Sequence, residues 1–431
     1  MKKAASFALG CKVNQYESEA IAELFAEKGY EIVSMDEAAD VYVINTCTVT
    51  NFGDKKSRQL IRKVKRQNEN AIIAVIGCYA QTAPQELMQM EGVNLVLGTK
   101  ERAQIVEMVE QYDQAKGVEN HVSDIMQERT FEPLSIQTLA NRTRAYLKIQ
   151  DGCSQYCSYC IIPYARGPIR SREPQEVLAE VRRLAKNGFQ EVVLTGIHVA
   201  SYGKDRRDTS LLEILKQVHE VEGIARIRFS SIEPNVVTEE FVQTIAALPK
   251  VCDHFHLSLQ SGCDKTLKEM NRRYTTEHYR QAVGLLRQYL PRVALTTDII
   301  VGFPGETEED FRASYAFAEE IGFAKIHVFP YSPKRGTPAA ERKDQLRNAV
   351  KADRSHTLIQ LSDKMAADFL ENFVGEAVEV LYERAVGDGI YEGHTTNYIK
   401  VHGKSKADLT NRICSTHITK AEGEVLFGEV E

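Results

Sequence analysis

Three cysteines stand within one eight-residue span, in Asp151-Gly152-Cys153-Ser154-Gln155-Tyr156-Cys157-Ser158-Tyr159-Cys160. Thiolates spaced as CxxxCxxC in a tight loop can hold three irons of a [4Fe–4S] cube. The fourth iron then lacks a protein ligand and is open to a small chelator. The amine and carboxylate of an amino acid suit it. The methionine portion of S-adenosylmethionine offers both and leaves its sulfonium beside an electron donor. One electron into that sulfonium breaks a carbon–sulfur bond and yields a 5′-deoxyadenosyl radical. A structural zinc ion is the competing occupant, but three cysteines do not complete its tetrahedron and no histidine lies within ten residues of them.

A second set is dispersed: Cys11 in Leu9-Gly10-Cys11-Lys12-Val13-Asn14, Cys47 in Asn45-Thr46-Cys47-Thr48, and Cys78 in Ile76-Gly77-Cys78-Tyr79. A single cysteine is most often a small buried hydrophobe. Each of these, however, closes an apolar run (4–9, 41–45, 72–76) that a helical pattern follows, and a fourth run, 93–97, ends at Gly98. Such alternation predicts a parallel sheet with helices on both faces, where ligands gather at the strand carboxyl ends. Three thiols at those ends can converge as a ligand set that again leaves one iron open, here to carry sulfur. Cys252, Cys263 and Cys414 have no such spacing and read as non-ligands.

The elements that must position the first set form a second, longer array. Runs at 144–150, 191–196, 225–230, 255–259, 293–300 and 324–329 read as strands, separated by helical patterns such as 175–186, 239–247 and 308–320, with Gly188 and Gly322 as helix stops. Six strand–helix units fit an incomplete version of the barrel whose sites lie at the strand carboxyl ends; the pattern alone does not separate an open barrel from a flat sheet. The expected fold class is α/β. A parallel α/β unit spans 1–110, a polar connector 111–140, the partial (βα)6 unit 141–370, and a small β-barrel 371–431, where short alternating runs are broken by glycines.

Within the second array, Gly196 and Gly302 end apolar strands and either admit a nucleoside close to the backbone or simply turn the chain. Ser258 and Gln260 end another strand and could bond a ribose or an amino acid. Asp298, a carboxylate in an apolar run, either orients substrate or satisfies a structural bond, and Pro163 either shapes an adenine pocket or sets a turn.

With 43% apolar residues in 431, a large core is available, and the net charge of −6 excludes a globally basic nucleic-acid binder. Residues 371–431 carry 11 Asp or Glu against 6 Lys or Arg, so the last unit is acidic as well. Any RNA contact must therefore be local. The best patch is 55–66, KKSRQLIRKVKR, with seven basic residues on a predicted helix; a solvated helix face is the plain alternative. Arg142, Arg144, Arg166, Arg170 and Arg172 form a second group, and Lys334 and Arg335 follow the last strand. No apolar run approaches the roughly 18 residues of a spanning helix, so the expectation is a cytoplasmic protein without a membrane partner.

The chain resembles the radical S-adenosylmethionine methylthiotransferases over nearly its whole length. The resemblance rests on Leu9 to Glu17 (LGCKVNQYE), Cys153 to Arg166 (CSQYCSYCIIPYAR), Thr195-Gly196-Ile197-His198, Arg228 to Pro234 (RFSSIEP), Ser258 to Gly262, Met270-Asn271-Arg272-Arg273 and Gly302 to Thr307. The first motif is similar to the branch acting on N6-threonylcarbamoyladenosine at tRNA position 37, beside the anticodon. That resemblance implies two [4Fe–4S] clusters, one held by Cys153, Cys157 and Cys160 to cleave S-adenosylmethionine, the other by Cys11, Cys47 and Cys78 to handle sulfur. It places the Gly302 segment by the adenine of S-adenosylmethionine. It also implies a C-terminal TRAM-like RNA-binding barrel, an electron donor such as flavodoxin or ferredoxin, and a sulfur donor. The product would be the 2-methylthio nucleoside. Branches that modify isopentenyladenosine in tRNA or a ribosomal-protein aspartate share these motifs, and a non-enzymatic iron–sulfur protein that senses redox state or binds RNA is the rival from another class.

Overall fold

A computed structural model describes residues 1–136 and 143–431; Arg142 and the end of the expected connector lie outside the described residues. The first sheet has six parallel strands in the order β2-β1-β3-β4-β5-β6: β1 Lys3–Ala8, β2 Glu31–Ile32, β3 Val41–Thr46, β4 Ile72–Gly77, β5 Leu95–Val96 and β6 Glu119–Asn120. β3 is buried at every position, as expected for a central strand covered on both faces. The order reverses at β1, which has β2 on one side and β3 on the other, and the crevice of a parallel sheet opens at that switch. β6 lies inside the segment read from sequence as a connector, so that segment extends the sheet instead of merely linking units.

The second array places six parallel strands side by side: β7 Arg144–Asp151, β9 Glu191–Gly196, β10 Arg226–Phe229, β11 His254–His256, β12 Ala294–Val301 and β13 Lys325–Pro330. They form two sheets joined by single parallel bridges, Ile227 to Val251 and Ile232 to Leu257. β8, Arg170–Ser171, adds antiparallel to the outer edge of β7. Alternate residues face opposite ways. Leu147, Ile149, Val192, Leu194, Ile227, Phe255 and Ile299 join one large apolar core, while Lys148, Gln150, Arg228, His256 and Asp298 take the other face.

Five strands close the C-terminal barrel in the order β14-β15-β16-β18-β17: β14 Ala377–Gly387, β15 Ile390–Thr395, β16 Lys400–Lys404, β17 Arg412–Glu422 and β18 Val425–Val430. A 24-residue helix, Asn348–Glu371, leads into it. The barrel caps the amino ends of the second array. Arg144 Nη2 donates to Glu383 Oε2 (2.9 Å), Arg226 Nη1 to the His394 carbonyl (2.8 Å) and Arg228 Nη1 to the Thr396 carbonyl (2.9 Å). No helix among the described residues is long and apolar enough to cross a membrane.

A buried ionic cluster locks the first sheet to the second array. Glu17, on the helix Lys12–Glu27, has no solvent exposure and meets Arg102 Nη1 (2.5 Å), Arg166 Nη1 (2.6 Å) and Lys148 Nζ (2.8 Å). Lys148 also meets Asp151 (2.6 Å), and Arg102 meets Glu132 (2.5 Å). Burial works to raise the Glu17 pKa, yet Arg102, Arg166 and Lys148 outweigh it and hold the carboxyl well below its usual range; Asp151 is depressed against the same opposition from burial by Lys148, Arg166 and Arg170. Folded values below unfolded ones mean the stabilisation is complete above the ordinary carboxyl pKa of 4.5 and is lost as pH falls through the folded values. Glu17→Gln should therefore lower the unfolding midpoint at neutral pH, a loss on the order of 3 kcal/mol from stranding buried cations. Between about pH 5 and 3 the variant's midpoint should fall less steeply than the wild type's. Circular dichroism melts across that range check it, and an unchanged acid slope would contradict it.

Candidate functional site

β1, β3 and β4 are neighbours, with Ala8 opposite Asn45 and Thr46 opposite Gly77. Their carboxyl ends are level, which brings Cys11, Cys47 and Cys78 together just beyond them. Gly10 shows how tight the approach is: at φ +99°, a Cβ there would sit 2.7 Å from Cys47 Sγ. Cys78 is buried and Cys11 faces a solvent-reached recess. Burial pushes the Cys11 thiol up and the Cys47 thiol up to about 12, and in both cases neighbouring cysteines of the set raise it further. Donors oppose this. The Asn14 backbone N–H serves Cys11, that of Val49 serves Cys47, and Arg166 Nε donates to Cys78 Sγ at 3.1 Å. Arg166 reaches this place from the helix Ile162–Arg166, directly after the other cysteine loop, and its Nη2 also bonds Asn14 Oδ1 (2.6 Å).

The second loop leaves β7 and is braced by the segment 269–274. Arg272 Nη1 donates to Cys157 Sγ (3.2 Å), Ser158 N–H to the Met270 carbonyl (3.0 Å), and Asn271 Nδ2 to the Tyr156 carbonyl (2.9 Å). Glu233 pairs with Arg272 Nη2 (2.9 Å) and lies 3.4 Å from His198 Nε2. Thus three motifs that sequence alone could only quote, at 195–198, 228–234 and 270–273, form one polar frame behind the loop. Burial raises Cys153 to about 11 and Cys160 to about 12, against backbone donors at Gln155 and Ile162.

Cys160 lines a cavity of about 320 Å³, which residues just past Cys47 also reach. Cys160, Ile161 and Ile162 form one wall, Val49 and Thr50, just past Cys47, another, and Gln260, Asp298, Ile300 and Phe329–Ser332 the rest. Of the non-cysteine candidates, Gln260 and Asp298 reach this cavity. Pro163 is buried one residue behind its wall. Ser258 is buried and its carbonyl takes the Tyr274 hydroxyl (2.8 Å). Gly196 packs on the Gln150 side chain, where a Cβ would lie 2.8 Å from Oε1. Gly302 donates its N–H to Glu306 Oε1 (2.9 Å), and a Cβ there would lie 2.5 Å from Lys351 Cγ. Sequence reading missed the clamp of Glu17, Arg102, Lys148 and Asp151; charged residues within apolar patterns at 148 and 151 were the available signal.

The donor set fits iron–sulfur clusters. Arg166, one of the cations of the buried cluster, donates directly to Cys78 Sγ, which suits a thiolate there. Among the described residues no group of three Cys, His, Asp or Glu is placed to hold a metal ion. In metal-free protein, alkylation of Cys153 and Cys160 should be slow at pH 8 and climb toward pH 11–12. Anaerobic reconstitution with iron and sulfide should protect all six set cysteines and leave Cys263 and Cys414 labelling unchanged. Peptide mass spectrometry reads this, and a set cysteine still labelled in the fully loaded protein would be removed from the ligand list.

Family models match at residues 147–318 (radical SAM superfamily) and 3–98 (uncharacterized protein family UPF0004). The chain is 46% identical over 426 residues to the threonylcarbamoyladenosine tRNA methylthiotransferase MtaB of Bacillus subtilis, covering 98% of this chain and 94% of that one. It is 37% identical to the tRNA-2-methylthio-N(6)-dimethylallyladenosine synthase of Moorella thermoacetica, covering 98% and 96%. Among solved structures, the radical S-adenosylmethionine methyltransferase TsrM of Kitasatospora setae matches with a TM-score of 0.56 at 17% identity, over 79% of this chain and 77% of that one, a likeness of fold.

Proposed function

The chain belongs to the radical S-adenosylmethionine tRNA methylthiotransferase family, and from that premise we propose that it converts N6-threonylcarbamoyladenosine, at position 37 of tRNA, to its 2-methylthio derivative. The observation that carries the substrate is the 46% identity to a threonylcarbamoyladenosine enzyme along nearly the full length of both chains. Cys153, Cys157 and Cys160 would hold one [4Fe–4S] cluster and Cys11, Cys47 and Cys78 a second. When bound, the first supplies the electron that cleaves S-adenosylmethionine and the second presents the sulfur to be transferred.

The chain's own residues supply placement. C2 of adenine has no acidic proton and no leaving group, so sulfur must already stand near it when the radical acts, and fixing that geometry is the protein's contribution. Arg166 and Arg272 place a guanidinium N–H on one sulfur of each set. Gln260 and Asp298 offer polar atoms from the cavity wall. The six strands of the second array read best as one partial barrel whose carboxyl ends form that wall, with residues 1–110 laid across them and 371–431 as a TRAM-like RNA-binding unit.

RNA contact finds support at the cavity mouth. Phe52 is 63% exposed with Lys56 Nζ 4.7 Å above its ring, and Phe329 is 46% exposed. Exposed aromatics beside cations suit bases splayed from a single-stranded loop. Lys55, Arg62 and Arg66 extend outward on the helix Asn51–Gln67. A cytoplasmic setting, a flavodoxin or ferredoxin as electron donor and a separate sulfur donor complete the proposal.

Nucleoside mass spectrometry on bulk tRNA, with and without the gene, tests it. The methylthio mass on threonylcarbamoyladenosine should vanish and return with the wild-type copy. Loss of a methylthio mass on isopentenyladenosine instead would reassign the substrate, and an unchanged tRNA profile would exclude both nucleosides.

A further inference from the structure

Lys12 follows Cys11 and opens the helix Lys12–Glu27. Its side chain leaves the cysteine set and runs along the inner face of the second array, with Nζ 5.7 Å from the Tyr146 ring centroid. It is solvent-exposed, with Tyr398, Arg228, Arg144 and Glu191 all within electrostatic reach, so it lines an open recess. The charges around it are otherwise matched. Arg228 is held by Glu191 (3.0 Å), Arg144 by Glu383 (2.9 Å) and Arg226 by Glu379 (3.0 Å), while His256 faces Asp298 (3.3 Å). Among the described residues Lys12 makes no ion pair.

A run of polar side chains links this recess to the cavity wall. Asp298 lines the cavity, His256 stands between it and a stack on His327 (5.8 Å between ring centres), and His254, two residues back on β11, lies tilted against Tyr398 with ring centres 5.1 Å apart. Thr296 Oγ1 lies 3.1 Å from both His254 Nε2 and His256 Nδ1, and His254 Nδ1 has no partner. An ammonium without a counter-ion, beside imidazole and hydroxyl groups, is a receptor for one small anion bearing hydrogen-bonding neighbours.

We propose that Lys12, with His254, binds the carboxylate of the threonylcarbamoyl group and so selects this nucleoside over a hydrocarbon-substituted one. The inference rests on the substrate reading above. In adenine, C2 and C6 flank the same ring nitrogen, so a group on N6 lies along the edge that carries C2. A base whose C2 is presented to the cysteine set of Cys11 can direct its N6 substituent toward Lys12, whose side chain leaves that same set along the second array. A dimethylallyl group has no charge to offer there and would leave the ammonium unpaired.

Equilibrium binding to the reconstituted full-length protein tests it, using an anticodon stem-loop RNA with threonylcarbamoyladenosine and the same RNA with that carboxylate converted to a carboxamide. Wild-type protein should bind the carboxylate RNA about 10-fold more tightly or better, the scale of one charge-assisted hydrogen bond. Lys12→Gln should bind both RNAs as weakly as wild type binds the carboxamide, and Lys12→Arg should keep most of the preference. Iron content and melting temperature confirm that each variant is folded. Equal weakening of both RNAs by Lys12→Gln would overturn the proposal in favour of a backbone phosphate, and so would an undiminished preference. Wild-type protein that does not distinguish the two RNAs overturns it as well. If that protein also leaves the threonylcarbamoyl RNA unmodified, the substrate reading itself fails; if it modifies that RNA, only the Lys12 assignment does.

Discussion

The Glu17 carboxylate has no contact with water, and cations from three separate segments close on it: Arg102 between β5 and β6, Lys148 on β7 and Arg166 behind the second cysteine loop. Removing two charges from water is costly, and such a cluster is worth keeping only where geometry matters more than stability. Here the geometry is the relation between two cysteine sets on different sheets. Arg166 is the hinge of that relation, since one guanidinium touches Glu17, Asn14 and Cys78 while its backbone continues from the Cys153–Cys160 loop. If the clamp loosened, neither set would lose its own cysteines, but the cavity between them would lose its shape.

The same logic orders the rest of the molecule. Strand carboxyl ends of both arrays turn toward the cavity, and the C-terminal barrel seals the opposite ends through Arg144, Arg226 and Arg228. The inner face of the second array is thus polar along its whole height, yet nearly every charge on it is matched. That accounts for an acidic chain offering local positive sites: the excess acid lies elsewhere, much of it on the final barrel, and the recess keeps Lys12 unmatched.

Much of this was legible before any coordinates. Apolar runs ending in Cys11, Cys47 and Cys78 announced a parallel sheet, and CxxxCxxC after β7 announced a cluster loop, because both depend on local periodicity and spacing. What was not legible depends on long-range pairing. The short strands β2 and β6 carry too few residues for a period, β17 was not singled out as a strand, and the helix Asn348–Glu371 has so little amphipathic contrast that no face stood out. Gly302 could be named from its place at a strand end, but only packing reveals that Lys351 fills the space beside it. Glu17 lay inside a quoted motif without a role, since nothing in the chain's order says that residues 17, 102, 148 and 166 meet.

The account stands most directly on the proposed division of labour between the two cysteine sets. Reconstituted Cys78→Ala and Cys157→Ala proteins, each assayed under reducing conditions for 5′-deoxyadenosine and for methylthiolated nucleoside in the same tube, measure it. Cys78→Ala should still form 5′-deoxyadenosine while making no methylthio product, and Cys157→Ala should form neither. Loss of 5′-deoxyadenosine in Cys78→Ala protein whose other cluster is intact by electron paramagnetic resonance would contradict the separation on which the reading depends.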